Sequence, residues 1–190
     1  MRIPLRRISR ALGVAALTIA ATTSIARADA WQVAEFTSPA GKAAHGIAVD
    51  SSGALRARLL IGCESAEKGW RGVAVWRAVK DKPASADAEV VVSFFGRSPV
   101  SERWSQRAEG ADGALLAPAS GEALRRNLLR EDTTRGQASV TIEVRDKGME
   151  PVRLVFPLEG LTARSADLAA ACGGWGGGAA PYSKRRERRW

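Results

Sequence analysis

Between residues 31 and 156 apolar and polar side chains keep trading places, which is how strands with one buried face are written. Leu55, Ala57, Leu59, Ile61 and Cys63 alternate with Arg56 and Arg58, so Cys63 falls on the buried face. After a turn at Glu67-Lys68-Gly69, Val73 and Val75 alternate with Ala74 and Trp76. Residues 88–95 are apolar on both faces and read as a central strand. The clearest hairpin comes late: Val140, Ile142 and Val144 alternate with Ser139, Thr141, Glu143 and Arg145. Asp146-Lys-Gly148 turns the chain, and Val152, Leu154, Phe156 and Leu158 resume the pattern. Short strands also fit residues 32–36 and 46–50.

Two segments keep a different period. Residues 120–131 open on Ser120, a capping residue type, and set Leu124 and Leu128 four apart with Leu129 beside them. Arg125, Arg126 and Arg130 fall elsewhere on the same short amphipathic helix. Residues 161–172 are alanine-rich, Leu168 and Cys172 share a face, and Gly173 is a natural helix stop. The fold expected is mainly β with two short helices, an antiparallel sheet that is sandwich-like or strongly curved.

The first thirty residues stand apart from this rhythm. Arg2, Arg6, Arg7 and Arg10 precede an apolar run over residues 11–21, and Ala28-Asp29-Ala30 offers the small-x-small pattern of signal peptidase. The run is shorter than the roughly 20 apolar residues that cross a bilayer. Residues 1–30 are therefore expected to be a signal peptide cleaved near Ala30, which places the rest in the periplasm or outside the cell. Arg6-Arg7 keeps the twin-arginine route open beside general secretion, and no cysteine follows the run to carry lipid. Residues 31–173 are expected to form a single β-rich domain, and 174–190 a flexible glycine-rich linker and basic tail.

Charge has to be divided among these parts. The chain carries +9 in all. Five arginines against Asp29 in the leader, and five basic residues against Glu187 in the tail, account for most of it. The body between is close to neutral, so a basic-domain case for nucleic-acid binding fails. The tail, with Lys184, Arg185, Arg186, Arg188, Arg189 and Trp190, could touch anionic lipid or another acidic envelope surface, or merely aid solubility.

Cys63 and Cys172 are the only cysteines, and an even count in an oxidising compartment points to one bridge. A redox pair or a metal thiolate site is the alternative. The chain has no C-x-x-C and a single histidine, His45, so a structural disulfide is expected and no metal or cofactor. The bridge would pin the last helix to the inner face of a strand.

His45 sits in a loop-like Ala-Ala-His-Gly and reads as a surface histidine; a triad needs more neighbours than it has locally. No G-x-S-x-G, P-loop or G-x-G-x-x-G occurs. Ser65-Ala-Glu-Lys68 is an S-x-x-K, which keeps a cell-wall-directed hydrolase using Ser65 and Lys68 as an alternative. Its usual S-D-N and K-T-G partners are missing, and it falls between two strands, where a turn is the plainer reading. Asp50, Glu64 and Glu67 read as solvated turn carboxylates. Trp70, Trp76 and Trp104 could stack sugars or a peptide ligand, though Trp76, in a strand, reads rather as core. Trp104, inside the polar run Ser101-Glu-Arg-Trp-Ser-Gln-Arg107, is the best ligand-facing candidate, with Arg97 and Arg103 near it in sequence.

Several of these stretches follow one another in a familiar order. Arg58-Leu-Leu-Ile-Gly-Cys63 leads to a strand ending at Val75-Trp76. Then come Trp104-Ser105, Gly113-Ala-Leu-Leu116 before the helix, the strand around Val140 to Val144, and Phe156-Pro-Leu-Glu-Gly-Leu161 running to Cys172. This order resembles the VasI/TagO-like periplasmic proteins associated with type VI secretion, over roughly residues 55 to 175. Invasion-associated and other periplasmic domains share the same Cys-to-Cys layout. Where the VasI/TagO-like family tends to carry Arg-x-Asp near its central strand, this chain has Ser93-Phe-Phe-Gly-Arg97. The resemblance implies an accessory envelope protein without established catalysis, whose partner is an envelope or secretion-system protein. The expected function is thus an exported, non-enzymatic binding or accessory domain. The hydrolase and a lipid-docking tail are the alternatives.

Overall fold

The computed structural model describes residues 30–65, 69–83, 85–135 and 139–173. The leader up to residue 29, most of the Glu67-Lys68-Gly69 turn and the tail from residue 174 lie outside them. Nine strands build one antiparallel sheet: β1 (Gln32–Thr37), β2 (Ala43–Asp50), β3 (Ala57–Glu64), β4 (Arg71–Ala78), β5 (Asp87–Phe94), β6 (Val100–Glu109), β7 (Gly113–Ala117), β8 (Ser139–Arg145) and β9 (Val152–Pro157). Two helices, α1 (Gly121–Arg135) and α2 (Leu161–Ala171), complete the described fold.

The spatial order is β1-β2-β3-β4-β7-β6-β5-β8-β9. The chain meanders through β1 to β4, jumps, and meanders back through β5 to β7 so that β7 closes beside β4. Helix α1 then carries it across to β8, which pairs with β5. The sheet is strongly curved: the backbone N–H and hydroxyl of Ser52, in the β2–β3 turn, both donate to the carbonyl of Val155 in β9, at 2.8 and 3.2 Å. Strands near the two ends of the sheet order are thereby brought together.

Curvature gives the sheet an inner face that every central strand supplies at alternate positions. Ile47, Leu59, Ile61, Val73, Val75, Val90, Leu116, Val140, Ile142, Leu154 and Phe156 join there in one buried cluster. Leu124 and Leu128 of α1 and Leu168 of α2 seal it. Trp31 is also fully buried in this cluster.

The disulfide forms as expected. Cys63, on the inner face of β3, is bonded to Cys172, the C-cap residue of α2, closing a separation of 109 residues. Asp132 of α1 accepts the backbone N–H of Thr162 at 2.7 Å, satisfying one of the orphan donors at the start of α2 and tying the helices together. The late hairpin also turns where expected, with Met149 N–H bonded to the Asp146 carbonyl and Gly148 at φ +79°.

Two strands were not legible beforehand, β6 and β7. β6 is ten residues long, and only Trp104 and Gln106 on it are buried. Its other side chains are carried toward solvent or ion pairs, so the segment lacks the apolar alternation that marks a strand.

Candidate functional site

The three residues singled out for ligand contact do not converge. Trp104 is 0% exposed, and the expectation that it faces a ligand is overturned. It lies opposite Ala88 across the β5–β6 pair and points into the inner core, while its indole N–H donates to Glu102 at 3.1 Å. Arg103, Ser105 and Arg107, among the polar neighbours that suggested a surface role, are turned the other way, whereas Glu102 and Gln106 share the face of Trp104.

Arg103, next to it, stands on the outer face. It is exposed, opposite Glu89, and its guanidinium lies 3.7 Å from Asp87. Glu89 also meets Arg145 on β8, which is held above its ordinary pKa by its hydrogen bond to Glu143, then by the charge of Glu143 and by Glu89. This is a cross-strand charge ladder on a solvated surface. Arg97 sits elsewhere, just after the β5–β6 turn glycine Gly96, and pairs with Glu131 of α1. Glu131 is 1% exposed, so Arg97 neutralises a buried carboxylate and staples a hairpin to a helix.

Three lesser expectations also change. Glu64 is not a solvated turn residue: it ends β3 at 4% exposure and accepts the hydroxyl of Ser38 at 2.5 Å. His45 is not in a loop but in β2, half-buried beside Cys63. Its carbonyl lies 3.9 Å from the sulfur of Cys172. Trp76 is only partly buried, on the outer face of the sheet. Ser65 follows β3 and is exposed, whereas its S-x-x-K partner Lys68 and the tail basic residues lie outside the described residues. Among the described residues no group of three or more His, Cys, Asp or Glu gathers to hold a metal, and no helix is long and apolar enough to cross a membrane.

What the sequence reading missed is the outer face itself. Over β2, β3, β4 and β7 it is apolar too: Ala48, Leu60, Ala74, Leu115 and Ala117 form a second buried cluster, with Ala34, Phe36, Trp70 and Trp76 packed against it. Phe36 and Trp70 meet edge to face, with centroids 6.0 Å apart at 86°. The strands approach closely beneath them. A Cβ on Gly46 would come 2.0 Å from the Ile61 carbonyl oxygen, and one on Gly62 would come 2.4 Å from that of His45, so only glycine fits either place. Curling continues as far as β6, where Arg107 reaches back to donate to the Ser38 carbonyl at 2.8 Å, bridging from β6 to the β1–β2 turn.

Between that bridge and the β2–β3 hairpin the curl leaves a groove of about 560 Å³. Leu60 and Leu115 lie at its floor, Trp76 forms a wall, and β1 runs along its side. The guanidinium of Arg56 lies 5.9 Å from the Trp76 ring centroid, a cation–π contact that holds the charge at the rim. Arg58 is occupied by Asp50 at 2.8 Å and Arg107 by Glu109 at 2.7 Å. Arg56 and Glu35 make no ion pair among the described residues. A concavity of this size with an apolar floor and a few unspent charges is what a binding site needs. The signal existed in the sequence: β3 carries Leu60 and Gly62 on the face marked polar by Arg58, and β4 carries Ala74 there. The chain matches no family model, no curated protein and no solved structure with which it was compared.

Proposed function

We propose that this chain is an exported, non-catalytic binding domain of the cell envelope, serving as an accessory to a secretion apparatus or to envelope assembly, in the manner of the VasI/TagO-like proteins it resembles. The groove over Leu60, Leu115 and Trp76 carries this reading. It offers apolar surface and, among the described residues, one cation and one carboxylate without an ion pair, which suit recognition and do not form a nucleophile–base pair. The leader sequence supports export. So does the buried Cys63–Cys172 bridge, a bond type that persists in oxidising compartments.

The test is made in the native host. Fractionation followed by intact-mass analysis should find the chain in the periplasm or medium, starting near Trp31 and with no free thiol. Replacing Leu55, which is 52% exposed at the groove rim, by a photo-crosslinking residue should then trap an envelope or secretion-system protein. A full-length cytosolic chain with reduced cysteines would overturn the export half. An exported chain with no crosslink from position 55 would overturn the binding half.

A further inference from the structure

Among the described residues β1 hydrogen-bonds to β2 alone, so it is an edge of the described sheet. An edge strand leaves alternate N–H and C=O groups unpaired along its outer side, and proteins ordinarily blunt such edges with lysine, proline, bulges or cover. β1 has none of the first three. Its sequence Gln-Val-Ala-Glu-Phe-Thr carries a single charge, and its register with β2 runs unbroken from Gln32 to Thr37.

Nor do the other described residues cover the edge. Ala34, Glu35, Phe36 and Thr37 all line the groove, and Gln32, Val33, Ala34 and Glu35 all line an adjoining hollow of about 200 Å³. Successive side chains of a strand point to opposite faces, so one face supplies only every second residue to a cavity. Four in succession means that the strand presents its side, backbone included. Val33, at 67% exposure, stands open beside it. The two hollows together follow the whole of β1, a length of about 20 Å for six residues.

We infer that β1 accepts an extended peptide segment of a partner protein as a tenth strand, main chain to main chain. Alternate side chains of the segment would enter the groove. This deepens the binding function proposed above and rests on it. The floor at Leu60 and Leu115 takes an apolar side chain; Arg56, fixed over Trp76 without a carboxylate partner among the described residues, takes an acidic one, and Glu35 on β1 a basic one elsewhere along the segment. The partner segment is therefore an alternating apolar strand with an aspartate or glutamate beside an apolar residue. Main-chain pairing supplies the affinity and these side-chain contacts supply the choice.

The oxidised full chain is panned against a phage-displayed library of random octapeptides, and the selected peptides are synthesised. They are expected to share an acidic residue next to an apolar one. On binding, amide exchange within Gln32–Thr37 should slow by at least about tenfold while β9, the opposite end of the sheet, is unaffected. N-methylating alternate peptide amides in one register should abolish binding, and in the other register leave it intact. Arg56→Glu, at an exposed position, should reverse the preference from acidic to basic peptides without changing the melting temperature. Selected peptides that leave the β1 amides unprotected, or bind equally well in both methylated registers, would overturn strand addition. So would displacement of every peptide by dodecanoate together with loss of register dependence, which would assign the groove to a small amphiphile. An empty selection would also refute it. Because the assay uses purified protein, failure here leaves export and the crosslink from position 55 standing.

Discussion

The two faces of the sheet solve the same problem with different means. The inner face buries large branched and aromatic side chains beneath two helices and is tied by a covalent bridge. The outer face of β2, β3, β4 and β7 uses alanine, glycine and two leucines, roofed among the described residues by Ala34, Phe36, Trp70, Trp76 and the arms of arginines. A core built from large side chains and sealed by helices has no room for a visitor. A shallow cluster of small residues, left partly open at one end, does. The difference teaches that apolar content alone does not distinguish a core from a binding surface; what covers it does.

The strongest way to break the contrast is to remove the bridge. Cys63→Ser with Cys172→Ser should lower stability by about 4 to 5 kcal/mol in the chain-entropy account, given the 109-residue separation. Urea unfolding of the oxidised and mutant chains measures it, and a loss below about 1 kcal/mol would show the inner face independent of its covalent tie.

A second test concerns a buried polar tie on the inner side. Arg77 and Asp146 are ion-paired at 6% and 13% side-chain exposure, and Gln106 donates to the same carboxylate at 3.0 Å. This contact joins β4, β6 and the β8–β9 turn. Arg77→Ala or Asp146→Ala alone should each cost about 3 to 5 kcal/mol, because the partner is left charged and buried. The double variant should cost far less than the sum of the two, and strict additivity in a double-mutant cycle would remove the coupling.

Truncating one leucine on each side sharpens the comparison further. Leu128→Ala, under the helix, should cost about 3 to 5 kcal/mol, whereas Leu115→Ala, at the groove floor, should fall near 2, since solvent can fill the space it leaves. Equal losses would mean the outer cluster is as closed as the inner one. The smallest effect is expected at the rim: Arg56→Ala should change unfolding free energy by no more than about 0.5 kcal/mol. A larger loss would make Arg56 a structural cover for Trp76 instead of a charge held for a ligand.

Much of the fold was legible because alternation is a property of one strand at a time. β3, β4, β8 and β9 showed their inner faces in their own residues, β5 its strand character but not its inner face, α1 and α2 their helical spacing, and the position of Cys63 and Cys172 on those elements made the bridge geometrically sensible. β6 was not legible, since Arg103 makes sense only against Asp87 on β5 and Arg107 only against the Ser38 carbonyl after β1. Trp104 was misjudged for the same reason. Its sequence neighbours are polar, but its spatial neighbours are Ala88 and the inner core. The groove is a further step removed, requiring both the closure of β7 beside β4 and the curl that brings Arg107 to Ser38.

By itself, then, the sequence determined which residues turn inward on most strands, where two helices fall, and that two thiols could meet. Only the tertiary structure decided which strands became neighbours, that a second apolar face would exist, and that β1 would be left as an open edge above it. Local patterning follows from backbone geometry, which each short segment carries within itself. Neighbour choice and curvature arise from contacts between residues far apart in the chain, and no single segment encodes its share of those alone.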